Sequence, residues 1–180
     1  IGVLGQRGAG LLEALDISAQ DVPVLVGTLG KAFGTFGAFV AGSNELITWL
    51  VQKARTFIYT TALPPAVAAA SRKSLQIIEE ERWRRDKLQA LIERFRQAAA
   101  QESLALMPSE TAIQPLQVGE AKKAVRLSRE LAQRGLLITA IRPPTVPQGS
   151  SRLRIALSAA HEEEDIDRLV ETLKECCGWG

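Results

Sequence analysis

The chain holds 180 residues, 46% of them hydrophobic and 23% charged, enough for one sizeable core or two small ones. Its 22 basic and 20 acidic residues leave a formal net charge of +2, with the basic residues scattered among acids. That balance argues against a nucleic-acid binder relying on a strong positive field, and no apolar run reaches the length a bilayer span requires.

In chain order, residues 1–10 lack the charged start and apolar stretch of a secretory signal. The opening Ile1-Gly2-Val3-Leu4-Gly5 reads like a passage inside a domain and predicts a fragment or processed product. Residues 22–26, Val-rich apart from Pro23 and bounded by Asp21 and Gly27, predict a short strand buried on both faces. Residues 37–42 predict a second one, and the glycine-rich residues 28–36 between them predict a tight connection of functional character. Ser43 and Asn44 suit the N-cap of a helix running to about Ala54, and residues 57–60 predict a brief extended piece. Pro64-Pro65 then opens one long helix, since proline is tolerated in the first turn. Leu88, Leu91, Ile92 and Phe95 mark its buried face, and the charged run 79–87 reads as a solvated face of the same helix.

From about Ser103 the pattern changes. Residues 113–118 read as a strand, and Ala121, Ala124, Val125, Ser128, Leu131 and Ala132 define a helix stopped at Gly135. Residues 136–141 read as a strand and residues 143–150 as a loop rich in proline and glycine. Residues 152–158 alternate, with Leu153, Ile155 and Leu157 facing one way and Arg152, Arg154, Ala156 and Ser158 the other. Glu162, Glu163 and Glu164 begin a last helix where negative charge suits the helix dipole, and Ile166, Leu169, Val170 and Leu173 give it a core-facing stripe. The order predicts an α/β protein: part of a large domain (1–75), a connecting helix (76–102) and a small C-terminal α/β domain (103–180). Trp49, Trp83 and Trp179 read as packing groups. Cys176 and Cys177 are adjacent, which strains a bridge between them, so reduced thiols and a cytoplasmic location are expected.

The informative segment is Gly27-Thr28-Leu29-Gly30-Lys31-Ala32-Phe33-Gly34. Lys31 follows a predicted strand at its C-terminal end, where open α/β sheets bind ligands, and the glycines let the backbone approach a bound group. A lysine in a partly desolvated pocket becomes a nucleophile for carbonyl carbon, and Thr28 could donate to a phosphate. A P-loop is rejected, because Gly27 and Gly30 are too close together and Ala32 follows the lysine. On spacing, a nucleophilic lysine and a surface lysine in a loop both stay open.

Thr28-Leu29-Gly30-Lys31-Ala32-Phe33-Gly34, followed by Gly37-Ala38-Phe39-Val40-Ala41-Gly42-Ser43, resembles the cofactor-lysine segment of the α-oxoamine synthases. Phe57-Ile58-Tyr59-Thr60-Thr61-Ala62-Leu63-Pro64-Pro65, Ile141-Arg142-Pro143-Pro144-Thr145-Val146-Pro147 and Ser151-Arg152-Leu153-Arg154-Ile155 resemble further segments of that family, in the same order. The resemblance implies the C-terminal part of a dimeric, fold-type I enzyme using pyridoxal 5′-phosphate. Such enzymes condense an amino acid with an acyl thioester and release carbon dioxide. The segments from Arg142 to Pro147 and from Leu157 to His161 are most similar to the member that joins alanine to a pimeloyl thioester in biotin synthesis. The 5-aminolevulinate synthases and 2-amino-3-ketobutyrate ligases stay open, as does a non-catalytic folding or interaction fragment that binds no cofactor.

By the same resemblance, Lys31 carries the cofactor and removes the α-proton of the amino acid, and Thr28 binds the cofactor phosphate or ring oxygen. Thr60 and Thr61 would contact the phosphate of the neighbouring subunit, or else cap the following helix. Arg154 would bind the substrate carboxylate through its two-pronged guanidinium, with Arg142 a weaker candidate. No metal and no nucleic acid are implied. The family's ring-pairing aspartate and ring-stacking histidine lie upstream of residue 1, so His161 is expected to be structural and the chain to be inactive by itself. An apolar strand edge without its neighbours is expected to self-associate.

Overall fold

A computed structural model describes residues 1–178; Trp179 and the side chain of Cys177 lie outside the described residues. The chain divides into two units, Ile1–Arg85 and Asp86–Gly180.

The first unit opens with a loop leading to α1 (Leu11–Ala14). The Glu13 carboxylate gathers this loop by accepting from the backbone N–H of Arg7 and of Ala9, each at 3.0 Å. Those bonds, Arg7's first, hold its carboxyl below the ordinary glutamate range. Strands β1 (Val24–Thr28) and β2 (Ala38–Gly42) follow as an antiparallel pair, with Thr28 opposite Ala38 and Val24 opposite Gly42. The strands were expected to be buried on both faces. Instead both are largely exposed, Val26 by 63%, because the sheet has two strands among the described residues and only the face carrying Leu25, Gly27 and Phe39 is partly covered. Then come α2 (Asn44–Lys53), α3 (Arg55–Ile58) and α4 (Pro65–Glu80). Ser43 caps α2 as expected, its Oγ accepting from Leu46 N at 3.2 Å.

Two readings of this region are corrected. Residues 57–60 are not extended: Phe57 N and Ile58 N both donate to Ala54 O, so the chain winds a new helical turn directly after α2. The long helix is two helices, α4 and α5 (Trp83–Gln101). Glu81 leaves helical geometry at φ −104°, ψ 59°. Side chains serve the break: the Arg85 Nη1 donates to Ile78 O at 2.7 Å, and Arg84 pairs with the Glu81 carboxylate. Trp49 and Trp83 are not packing groups either, being 60% and 52% exposed; Arg84 stacks on the Trp83 ring at 4.6 Å.

In the second unit β3 (Ile113–Gly119), α6 (Ala121–Gln133), β4 (Thr139–Ile141), β5 (Ser151–Ala156) and α7 (Glu163–Cys177) follow α5. The sheet order is β3-β5-β4, antiparallel throughout, with Leu153 opposite both Leu116 and Ala140. The expected alternation along β5 holds: Leu153 and Ile155 are buried, Arg154 and Ala156 exposed. Helices α5, α6 and α7 lay their apolar stripes on that inner face, placing Phe95, Leu127, Leu131, Ile166 and Leu173 in one cluster. Fully burying such a side chain is worth about 1.5–3 kcal/mol. Gln114 is fully buried yet satisfied, accepting from Arg96 Nη1 at 2.7 Å and donating to Thr111 O at 2.6 Å. The acidic run starts α7 as expected, and Glu162 adds a reciprocal capping box with Asp165. Arg94 of α5 clasps Asp167 of α7 with two bonds of 2.9 and 2.6 Å.

The two units differ in kind. The buried apolar side chains among the described residues run from Leu88 to Leu173, all in the second unit. No described helix is long and apolar enough to cross a membrane.

Candidate active site

Lys31 sits in the connection between β1 and β2, and the backbone there is closely specified. Leu29 N donates to Gly37 O at 2.9 Å, extending the ladder by one rung beyond Thr28. Thr35 N then donates back to Leu29 O at 2.9 Å, and Gly34 N to Lys31 O at 2.8 Å. Lys31 is thus the first residue of a four-residue turn, Lys31-Ala32-Phe33-Gly34, closed by its own carbonyl. Its side chain is exposed and has no hydrogen bond or ion pair among the described residues. Thr28 closes β1 with an exposed, equally unpartnered hydroxyl.

Three neighbouring segments brace this loop. Helix α4 supplies two serines: the Ser74 Oγ donates to Phe33 O at 2.7 Å, and the Ser71 Oγ lies 2.8 Å from the Thr35 Oγ1. The opening loop comes so close that a Cβ on Gly2 would stand 2.8 Å from the Ala32 Cβ, and Gly2 also has φ +86°, so both space and backbone require glycine. On the other side Leu63 lies against Gly37, whose φ is +100°; a Cβ there would be 3.2 Å from the Leu63 Cδ1. Leu63 follows Thr61 of the Thr60–Thr61 pair by two residues, in the segment that leads into α4. Both threonines are exposed. They do not cap α4, which starts after Pro64 without a side-chain cap.

The two arginines belong to the second unit. Arg154 lies on the middle strand β5 between Pro115 and Thr139, on the face turned away from the core. Its neighbour on that face, Arg152, is half-buried and spends its Nε on Ser150 O at 3.1 Å. Arg142 follows β4 directly, donates to Pro143 O at 3.3 Å, and lines a groove with Lys122, Arg126 and Arg129 of α6. Thr28 and Lys31 therefore share one hairpin that Leu63 abuts, while Arg154 lies on β5 and Arg142 just past the end of the neighbouring β4.

His161 has the structural role expected of it: its Nδ1 accepts from Ser158 N at 3.2 Å in the turn before α7. Burial pushes the Cys176 thiol up, away from the reactive thiolate. No group of side chains among the described residues could hold a metal ion. Ser71 and Ser74 went unnoticed in the sequence. Their signal is two small hydroxyl residues three apart in the alanine-rich start of α4, a spacing that puts both on one helix face.

Residues 2–173 match the family model described as aminotransferase class I and II. An 8-amino-7-oxononanoate synthase of Pseudomonas savastanoi pv. phaseolicola is 59% identical over 97% of this chain and 44% of its own length. The crystal structure of the 8-amino-7-oxononanoate synthase of Francisella tularensis superposes with a TM-score of 0.89 at 30% identity, over 99% of this chain and 52% of that one. Serine palmitoyltransferase of Sphingomonas wittichii gives a TM-score of 0.90 at 28% identity, over 98% and 44%. The chain spans about half the length of the relatives it matches.

Proposed function

Because the chain belongs to the aminotransferase class I and II family, we propose that the whole protein is an 8-amino-7-oxononanoate synthase, a pyridoxal-phosphate acyltransferase that condenses L-alanine with a pimeloyl thioester and releases carbon dioxide for biotin synthesis. The observation that carries this reading is the 59% identity along nearly the whole chain to an enzyme of that name. The loop chemistry fits the cofactor. An unpartnered amine on Lys31 suits its aldehyde, and the unpartnered hydroxyls of Thr28, Thr60 and Thr61 suit its phosphate. When bound, the cofactor supplies a sink for the electrons released at the α-carbon.

The chain's own residues do the rest. Lys31 holds the cofactor at Nζ and takes the α-proton there, its backbone fixed by the turn it closes. Thr28 donates to the phosphate from the end of β1, and Thr60 and Thr61 donate to the phosphate held by a second subunit of a homodimer. Arg154 receives the alanine carboxylate as a bidentate partner, and Arg142 offers a second cation for a carboxylate of the acyl chain. The upstream half carries the groups that flank the cofactor ring, so these 180 residues contribute part of the site. The thiol at Cys176 fits a cytoplasmic enzyme.

The test is borohydride reduction of the full-length protein with pyridoxal 5′-phosphate, followed by peptide mass mapping. A phosphopyridoxyl group on Lys31 is expected. Unmodified Lys31 in folded full-length protein would refute the enzyme reading and leave a likeness of fold.

A further inference from the structure

We propose that Ser74, together with the Thr35–Ser71 hydroxyl pair, is a positioning device that fixes the Lys31 turn from helix α4. The inference deepens the proposed function and rests on Lys31 being the cofactor lysine.

The geometry is specific. Backbone bonds within the loop serve Lys31 O and Leu29 O and leave Phe33 O to a side chain. The base carbonyl, Leu29 O, accepts from Thr35 N at 2.9 Å and from the Thr35 Oγ1 at 3.2 Å. The carbonyl at the third turn residue, Phe33 O, accepts from the Ser74 Oγ across 41 residues of sequence. Thr35 is in turn tied to Ser71, 36 residues away, and Ser71 to its own helix through Val67 O at 2.9 Å. The two hydroxyl hydrogens can fill two of these three contacts at a time: when one hydroxyl donates to the other, the recipient donates to its own carbonyl, Leu29 O or Val67 O. All three hydroxyls are half-buried or in half-buried pairs, where a bond is not readily replaced by water.

Directional bonds weigh more in this unit because its apolar side chains are at most partly buried. No buried apolar side chain of the described chain lies in Ile1–Arg85. The loop's order therefore rests on directional bonds and on the close approaches at Gly2 and Gly37. Removing Ser74 frees Phe33 O and lets the turn rotate about Lys31. Proton removal at the α-carbon needs Nζ within hydrogen-bonding reach of that proton, so such rotation slows chemistry more than it weakens binding.

Two measurements on Ser74→Ala, Ser74→Thr and Thr35→Val test this. In the full-length protein, amide exchange at Gly34 and Thr35 should quicken about fivefold in Ser74→Ala and Thr35→Val, the change one ordinary hydrogen bond is worth, with exchange in α2 unchanged. In the full-length enzyme kcat should fall with KM for alanine nearly constant, and Ser74→Thr, which keeps the hydroxyl, should restore both readouts. If Ser74→Ala unfolds the unit, the isosteric Thr35→Val carries the test. Unchanged exchange at Gly34 and Thr35, or a loss of activity lying in KM, would overturn the positioning role. Failure of wild-type protein to label at Lys31 would instead overturn the reading beneath it.

Discussion

Phe95 of α5 is fully buried in the core of the second unit, whereas Phe57 of α3 in the first unit is 62% exposed. The same substitution at both sites measures where the chain keeps its stability. Phe95→Ala removes a ring that touches the sheet-and-helix cluster on every side and should cost about 3–5 kcal/mol. A unit the size of Asp86–Gly180 has roughly 5–14 kcal/mol in all, so the variant loses a large part of it, or about a thousandfold in the folding equilibrium. Phe57→Ala exposes nothing new and should stay within about 0.5 kcal/mol. Urea unfolding followed by circular dichroism reads both, and an unchanged m-value would show that the midpoint shift is a stability change. If Phe57→Ala cost as much as Phe95→Ala, or Phe95→Ala cost under about 1 kcal/mol, the placement of the core would be wrong.

Other outcomes follow from the same structure. The bidentate bond from Arg94, aided by its charge, holds the Asp167 carboxyl below the ordinary aspartate range. A carboxyl lowered by folding contributes stability above its unfolded pKa and loses it as pH falls through the folded value; a carboxyl-carbon NMR titration should show Asp167 titrating low, and Arg94→Ala should return it toward the ordinary value. Trypsin should cut first around Arg82 and Arg84, where α4 gives way to α5, and leave a protected fragment ending in α7; cleavage within α5 or β5 at comparable rates would count against a folded second unit. The exposed apolar side chains of the first unit, Val26 and Phe36 among them, should drive the isolated 180 residues to self-associate; light scattering from a clean monomer would count against that.

The second unit was the more legible in sequence, and the reason is physical. Where a segment buries one face in its own chain, the period of its apolar residues reports its conformation, as in Leu153, Ile155 and Leu157 of β5 or Ile166, Val170 and Leu173 of α7. Val24 and Val26 gave an equally apolar pattern, yet their strand is exposed, because periodicity records that a surface is to be covered and not what covers it. The break between α4 and α5 was hidden for a different reason. It uses no glycine or proline; Glu81 turns out of the helix, Arg85 binds the Ile78 carbonyl and Arg84 pairs with the Glu81 carboxylate, a device written in charges that also suit an unbroken helix. At the candidate site, the glycine spacing announced a tight connection around Lys31, while its braces, Ser71 and Ser74, lie about 40 residues away and show only in three dimensions.

A unit that stands without an interior of its own has an unusual relation to mutation. In the 180-residue chain, polar replacements at Val26, Phe36, Trp49 and Phe57 meet mostly solvent and should be nearly neutral. In a longer chain, any of these positions that becomes covered turns intolerant. The difference between two substitution scans, one on each chain, would therefore trace the footprint of the covering surface residue by residue, before that surface is seen.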